Sequence, residues 1–571
     1  MYKVFITNRF LILLIVLLSF SLKCYPQKPG IDDTLRNIVR QYGQAEVTIP
    51  YSDDKSIDYL TRKVSILSVR GEIIQISLSP LTIEWFIQQK FNYSIEKSSD
   101  NKGIIPALNM NQAMNWDKYP TYTQYDSIMQ SFINLYPSLC HLDTIGTSLK
   151  GKLILALKIS DNAVKDEDEP EVFYSSSMHG DETGGYILML RLADYLLKNY
   201  NISPRVKNLV DNLEIWINPL ANPDGTYRTG NTITSPTRYN SAGIDLNRNF
   251  PDPLQPLVVQ AKENTDMITF MRKHRFVLSA NFHSGTELVN YPWDRWISKL
   301  HTDDFWFRSI SRAYADTAQF YSGTGYMTDE SNGVTRGSAW YVIYGGRQDF
   351  MTWELQGREV TIELDNQYVT PEAQLPLLWQ YNWRSLIGYL ENALYGIHGR
   401  IINANTSAPV QAKVFIEGHD RDSSQTYSDK LNGSFVRLLS PGSWTITFSA
   451  TGYNDLTISD ISVIAGRKTN IIVKMMPVIN NIDTTKHENS VLYPNPATTE
   501  IKAMLSDGII GIVNVRIINQ SGVLISDYIT EVFKGVPVQI NTKGLSGGTY
   551  TAVFTNTATK ISCHSRFIVI K

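Results

Sequence analysis

A histidine and a glutamate three residues apart, His179 and Glu182, are followed by a second histidine, His283, 101 residues after the glutamate. Imidazole and carboxylate both bind divalent metals, and three such donors leave a fourth tetrahedral position open. That is the ligand count of a catalytic zinc site rather than a closed structural one. The same donors would also accept cobalt. Alone, His-x-x-Glu is a weak signal in a chain with nine histidines. Its placement is more informative. His179 follows a strand-like run and precedes a helical pattern, and His283 follows the apolar run Val277 to Phe282. Ends of strands are where open α/β sheets place their sites.

The elements that must hold these residues alternate. Between about Tyr119 and Tyr395, the runs Leu153 to Ile159, Val172 to Ser175, Leu213 to Ile217, Val277 to Phe282 and Glu359 to Leu364 read as strands. Gly184 to Asn199 and Leu377 to Leu394 read as helices, with Pro376 tolerated at a helix start. This predicts an α/β domain around a largely buried sheet. Before it, residues 32–103 form a small mixed segment with two strands, Val64 to Val69 and Ile73 to Leu78, a helix over Thr82 to Lys90, and a polar linker from Lys97 to Gly103. Its position suits either a prosegment or a permanent small domain. After it come two modules of short strands and turns, 396–477 and 491–571, joined by the polar linker 478–490. Asn432-Gly433, Pro441-Gly442, Ser521-Gly522 and Ser546-Gly547-Gly548 mark their turns, so both read as small all-β sandwiches.

Composition narrows the function classes. The chain has 571 residues, with 53 basic against 55 acidic side chains. With no long basic stretch, a nucleic-acid partner has no electrostatic basis. Lys3 and Arg9 precede the apolar run Leu11 to Leu22, so residues 1–25 read as a signal peptide. That run falls short of the ~20 residues needed to span a bilayer, and no later segment predicts a transmembrane helix in the mature chain. Three cysteines cannot make a disulfide framework. Cys24 would leave with the signal, while Cys140 and Cys563 fall in different predicted domains.

Six motifs, the first holding His179 and Glu182, run in chain order: His179-Gly180-Asp181-Glu182, Asn222-Pro223-Asp224-Gly225, Gly243 to Phe250, Asn290-Tyr291-Pro292-Trp293-Asp294, Gln348-Asp349-Phe350 and Thr361-Ile362-Glu363-Leu364. Together they resemble the zinc metallocarboxypeptidases, in the subfamily that includes carboxypeptidases N, E, D and M. The resemblance implies a mixed-sheet metallocarboxypeptidase catalytic domain over 119–395 holding one Zn2+. His179, Glu182 and His283 would be its ligands, with Asp245 orienting His179. It makes Glu363 the general base, Arg238 the stabiliser of the oxyanion and Tyr341 a mobile cover over the bound terminus. Asn247 and Arg248 would grip the terminal carboxylate. Asp294, with Gln348, would select a C-terminal lysine or arginine. Peptide and protein C-termini are the implied substrates.

The chain departs from the family in three places. Ser284-Gly285-Thr286-Glu287 follows His283 where two glycines are usual, Glu287 adds an acid, and Arg347 stands where methionine is common. Gly396 to Arg400 and Ser449 to Tyr453 resemble the transthyretin-like domain that follows the catalytic domain in this subfamily. Tyr493-Pro494-Asn495-Pro496 and Leu545 to Tyr550 resemble the sorting domain of type IX secretion. That implies a secreted or cell-surface protein whose C-terminal module engages the secretion machinery. Two other readings are a cell-wall peptide hydrolase of the same superfamily and an inactive surface binding protein.

Overall fold

In the computed structural model, residues 30–51, 54–96, 104–254, 259–323, 325–478 and 490–571 are described. The expected signal peptide, with Cys24, and the linker Lys97 to Gly103 lie outside them. The chain divides into two compact units, 1–477 and 478–571.

The α/β domain is built on eight strands: β5 (Cys140–Thr147), β6 (Leu153–Ile159), β7 (Glu171–Ser176), β8 (Glu214–Asn218), β9 (Phe276–His283), β10 (Thr286–Tyr291), β11 (Val334–Arg336) and β12 (Arg358–Asp365). Four earlier strands, β1 (Ala45–Pro50), β2 (Ser65–Arg70), β3 (Ile73–Leu78) and β4 (Ser94–Ile95), belong to the N-terminal module. The large sheet runs β11-β10-β12-β9-β7-β8-β6-β5. Its centre, β12-β9-β7-β8, is parallel, while β5-β6, β6-β8 and β10-β12 pair antiparallel. The sheet is therefore mixed, and its central strands are buried on both faces, as parallel strands must be.

Each face explains its residues. On β9, Leu278, Ala280 and Phe282 point into one core with Ile187 and Leu190 of the helix Gly184–Asn199 and Leu386 of the helix Leu375–Glu391. The alternate residues Ser279, Asn281 and His283 turn to the opposite face. Further along that face Phe173, Trp216 and Phe276 pack on Met267 and Phe270 of the helix Lys262–Lys273. The strand Leu153–Ile159 and the helix Gly184–Asn199 have the bounds their patterns predict. Ala107, Ala113 and Trp116 also join the main core, so the segment before Tyr119 packs as part of this domain.

The N-terminal module is a four-stranded sheet, β2-β3-β1-β4, carrying the helices Ile31–Tyr42 and Ile83–Gln88. Residues 396–477 form two facing sheets of three and four strands around Ile397, Val414, Phe435, Phe448 and Val473. The second unit likewise has a three-stranded and a four-stranded sheet, closing on Ile501, Val515, Phe554 and Phe567. Cys140 and Cys563 are both buried, and neither is in a disulfide. No helix among the described residues is long and apolar enough to cross a membrane.

Candidate active site

Strand register brings the chemistry together. In the parallel pair β9 and β12, His283 stands opposite Glu363 at the strand ends. His179 and Glu182 lie on the turn between β7 and the helix beginning at Gly184, so they reach the same edge. That turn is tightly backed. A Cβ on Gly180 would lie 2.3 Å from the Gly225 carbonyl carbon, so only glycine fits. Asn222 donates through Nδ2 to the Met178 carbonyl at 3.2 Å and accepts from the Gly225 N–H at 2.9 Å. The Asn222 to Gly225 motif is thus a buttress behind the ligand turn.

The three donors converge. His179 Nδ1 lies 2.8 Å from Glu182 Oε1, His283 Nδ1 lies 2.7 Å from Glu182 Oε2, and the two Nδ1 atoms are 3.1 Å apart. Two Zn–N bonds of about 2.05 Å at a tetrahedral angle put their nitrogens ~3.4 Å apart. The donor set therefore fits a zinc ion, and all three residues are buried. Their far sides are held differently. His179 Nε2 meets Asp245 Oδ1 at 3.1 Å, whereas His283 Nε2 lies 2.7 Å from the side-chain amide of Asn281. The atom facing it is Asn281 Nδ2, so with Nδ1 on a metal and the proton on Nε2 the Asn281 amide would turn its oxygen toward His283. Asn281 did not emerge from the sequence, although its place two residues before His283, on the same strand face, marked it.

Charge is concentrated around the donors. Arg238 donates through Nε to Asp245 Oδ2 at 2.9 Å and through Nη1 to Glu182 Oε1 at 3.3 Å. Burial alone would raise the Asp245 carboxyl, but Arg238 and His179 outweigh it and hold it well below the usual range. Glu363 is the opposite case. Burial, reinforced by the nearby charge of Glu182, pushes it well above the ordinary carboxylate value. Its Oε2 and the Nε of Arg248 are both buried without a hydrogen-bond partner among the described residues.

The remaining candidates border the same space. Asn247, Arg248, Asp294 and Tyr341 line the cleft with the donors, Arg238 and Glu363. Gln348 stands one bond behind, donating through Nε2 to Asp294 Oδ1 at 2.9 Å, and Asn290 Nδ2 donates to the same oxygen at 3.1 Å. Burial raises Asp294 to about 7. Asp349 accepts the Asp294 and Arg295 N–H groups, each at 3.0 Å, and so fixes the pocket loop. Gly337 lets that loop close, because a Cβ there would sit 1.7 Å from Asp294 Oδ1.

The departures also find explanations. Arg347 is fully buried, paired with Glu359 at 3.1 Å, and its backbone N–H donates to Asn247 Oδ1 at 2.9 Å. Glu287 does not join the cleft; it accepts the Met327 N–H at 3.2 Å. Tyr344 bonds to Asp58 of the N-terminal module rather than facing the cleft.

Comparison with known proteins agrees with this geometry. Family models match over three stretches: Zinc carboxypeptidase at residues 125–385, Carboxypeptidase regulatory-like domain at 396–476, and Secretion system C-terminal sorting domain at 491–571. Carboxypeptidase D of Homo sapiens is 34% identical over 351 residues, covering 59% of this chain but only 25% of that protein, so this chain spans about a quarter of its length. Carboxypeptidase M of Mus musculus is 31% identical, covering 58% of this chain and 77% of that one. The Carboxypeptidase N catalytic chain of Homo sapiens is 30% identical, covering 59% and 82%. Matched across most of the length of two such relatives, and by a family model that includes all three metal donors, Arg238 and Glu363, the chain belongs to the zinc carboxypeptidase family.

Proposed function

We propose that this protein is an exported zinc-dependent carboxypeptidase that hydrolyses the C-terminal peptide bond of peptides and proteins ending in lysine or arginine. One observation carries the reading: Glu363, Arg238, Arg248 and Asp294 open onto a single cleft with the three metal donors.

Each side chain then has a task. Asn247 and Arg248 receive the substrate's terminal carboxylate, and the unpartnered Arg248 Nε is a donor still available for it. That grip restricts cleavage to the last residue. Tyr341 covers the bound terminus. Asp294 pairs with the cationic side chain, whose charge restores the ionised carboxylate that burial disfavours. Arg238 presents a fixed positive charge where the oxyanion develops. His179, Glu182 and His283 would hold a zinc ion, which would supply the Lewis acidity that makes water a nucleophile near neutral pH. Glu363 accepts the proton of the attacking water and delivers it to the leaving amine as the C–N bond breaks and the C–O bond forms. A carboxyl with a raised pKa suits that shuttle.

Export is supported by the apolar run Leu11 to Leu22 and by the sorting-domain match, which favour a Sec signal and type IX secretion to the surface or medium. The test is a set of peptides differing only in the last residue, incubated with the zinc-loaded protein with and without chelator. Release of lysine and arginine alone, abolished by chelation and restored by zinc, is the predicted result. Chelator-sensitive release of apolar residues would remove Asp294 from its role. Hydrolysis confined to cell-wall peptides would move the substrate class.

A further inference from the structure

Arg347, which stands where methionine is common, opens the short helix Arg347–Trp353. The first three residues of that helix hold the substrate side of the cleft. The Arg347 N–H donates to Asn247 Oδ1 at 2.9 Å. Gln348 Nε2 donates to Asp294 Oδ1 at 2.9 Å, and Asp349 accepts the N–H groups of Asp294 and Arg295, each at 3.0 Å. The first of these contacts also orients an amide. With its oxygen committed to the Arg347 N–H, Asn247 has Nδ2 left to offer, a donor suited to a carboxylate.

The Arg347 side chain ties this turn to the sheet. Its Nη2 donates to Glu359 Oε2 at 3.1 Å, and its Cζ lies 4.8 Å from the centre of the Phe173 ring. Both members of the ion pair are 0% exposed. Glu359 also accepts from Ser279 Oγ at 2.6 Å. Glu359 stands on β12, four residues before Glu363 and on the same face, and Ser279 holds the matching place on β9 before His283. Arg347 Nη1 lies 3.5 Å from Asn281 Oδ1, a marginal contact, and the pair with Glu359 does not depend on how that amide is turned. A methionine would fill this space with no charge to bury, and a buried ion pair seldom adds net stability over apolar side chains of similar volume. What the pair adds is direction. A guanidinium is a planar fork that meets a carboxylate in few geometries, whereas methionine adapts to many.

From these contacts we infer that Arg347 is a positioning residue for substrate binding: through Glu359 it locks the first helical turn to the strands of His283 and Glu363, and so sets where Asn247 and Asp294 meet the substrate's last residue. Arg347 itself touches no substrate. The inference rests on the carboxypeptidase reading for what Asn247 and Asp294 bind. The opposing possibility is that the pair is only a filled space in the core.

The test uses the full zinc-loaded chain and the charge-balanced double variant Arg347→Met/Glu359→Gln, beside Arg347→Lys. Read are KM and kcat on a peptide ending in lysine, the preference in kcat/KM for lysine over leucine as the last residue, and the Kd of free lysine by calorimetry. Positioning predicts that KM and Kd rise in the double variant by about tenfold or more, the size of one lost charge-assisted hydrogen bond to a ligand. The preference for lysine should fall by a similar factor, with kcat within about threefold and zinc content unchanged. Arg347→Lys, which keeps a cation beside Glu359, should hold KM to within about threefold of the unchanged chain. Should the double variant not fold, Glu359→Asp, which draws the carboxylate back by one methylene, carries the prediction at about threefold in KM. Unchanged KM, Kd and preference, whatever the change in unfolding stability, overturn the inference and leave the pair as core. A fall in kcat with KM and Kd unchanged overturns it as well. Weaker lysine binding in the variant, with no release of a C-terminal residue by any form, supports the positioning and overturns the peptidase reading instead. Failure of the unchanged chain to bind lysine overturns both.

Discussion

The catalytic domain is flanked by two small partners that hold it in opposite ways. The β-sandwich 396–477 is attached through buried charge. Asp303 accepts from Arg358 Nη2 at 2.7 Å and Arg437 Nη1 at 2.8 Å, and Arg437 Nη2 reaches Asp420 at 2.6 Å. All four side chains are buried, and none lines the cleft. The N-terminal module is attached through apolar packing and hydrogen bonds with at most one charged partner, such as Ser65 Oγ to Asp245 Oδ2 at 2.6 Å and the Arg238 N–H to Gln44 Oε1 at 2.7 Å, and these fall beside the cleft. A buried charge cluster is costly to open, because every partner removed leaves an uncompensated ion. Hydrogen bonds with one charged partner contribute about 1.5–3 kcal/mol each, and neutral ones about 0.5–1.5 kcal/mol. One attachment holds its partner away from the chemistry and the other bears directly on it. Strand β12 shows the division within one element: Arg358 at its start is fixed to the sandwich, and Glu363 near its end faces the donors.

The largest effect should come from breaking the charged attachment. Asp303→Ala strands Arg358 and Arg437 and should cost about 3–5 kcal/mol in denaturant unfolding. A loss below 1 kcal/mol would mean that the sandwich is held by its apolar contacts alone.

Next comes pH at the N-terminal module. Burial first, and then the charge of Asp181, raise Glu46 to about 7 from 4.5. The groups facing it are Gln75, which donates to it, Asp181 and Arg238 of the catalytic domain, and Glu96. A carboxyl raised on folding favours the docked state while protonated. Its contribution is therefore fully present below about 4.5 and lost as pH climbs through about 7. That contribution is on the order of 3 kcal/mol at most. Unfolding stability of the unchanged chain should fall between about pH 5 and 8 relative to Glu46→Gln. A constant difference would show that Glu46 takes no part in docking.

A smaller effect separates the two attachments most finely. Thr61→Ala, which loses the bond from Thr61 Oγ1 to the Val342 carbonyl at 2.9 Å, should lower unfolding stability by only about 1 kcal/mol. A loss above about 3 kcal/mol would erase the distinction drawn between the partners.

These contrasts track what the sequence made legible. The strand Leu153–Ile159 and the helix Gly184–Asn199 were readable because each is long, apolar and locally periodic. The cleft residues were readable because they sit in short motifs whose neighbours vouch for them. The helix Ile31–Tyr42 and strand β1 were not. Strand β1 is short and ends in Pro50, and its pairing with β3 is set by contacts across the module. The docking contacts were further out of reach. Gln44 meets Asp181 across 137 positions, and Ser65 meets Asp245 across 180. No local pattern encodes such meetings. Arg347 teaches the same lesson: an odd arginine in the motif was visible, but its buried partner Glu359 was not, because only the fold brings them together.

The most direct test of the catalytic account is Glu363→Gln, measured for kcat on a saturating peptide ending in lysine. It should be made beside the unchanged chain at equal zinc loading. Loss of a positioned proton shuttle predicts a kcat lower by about 10³-fold, with zinc content unchanged. Full activity in the glutamine variant would contradict the mechanism outright.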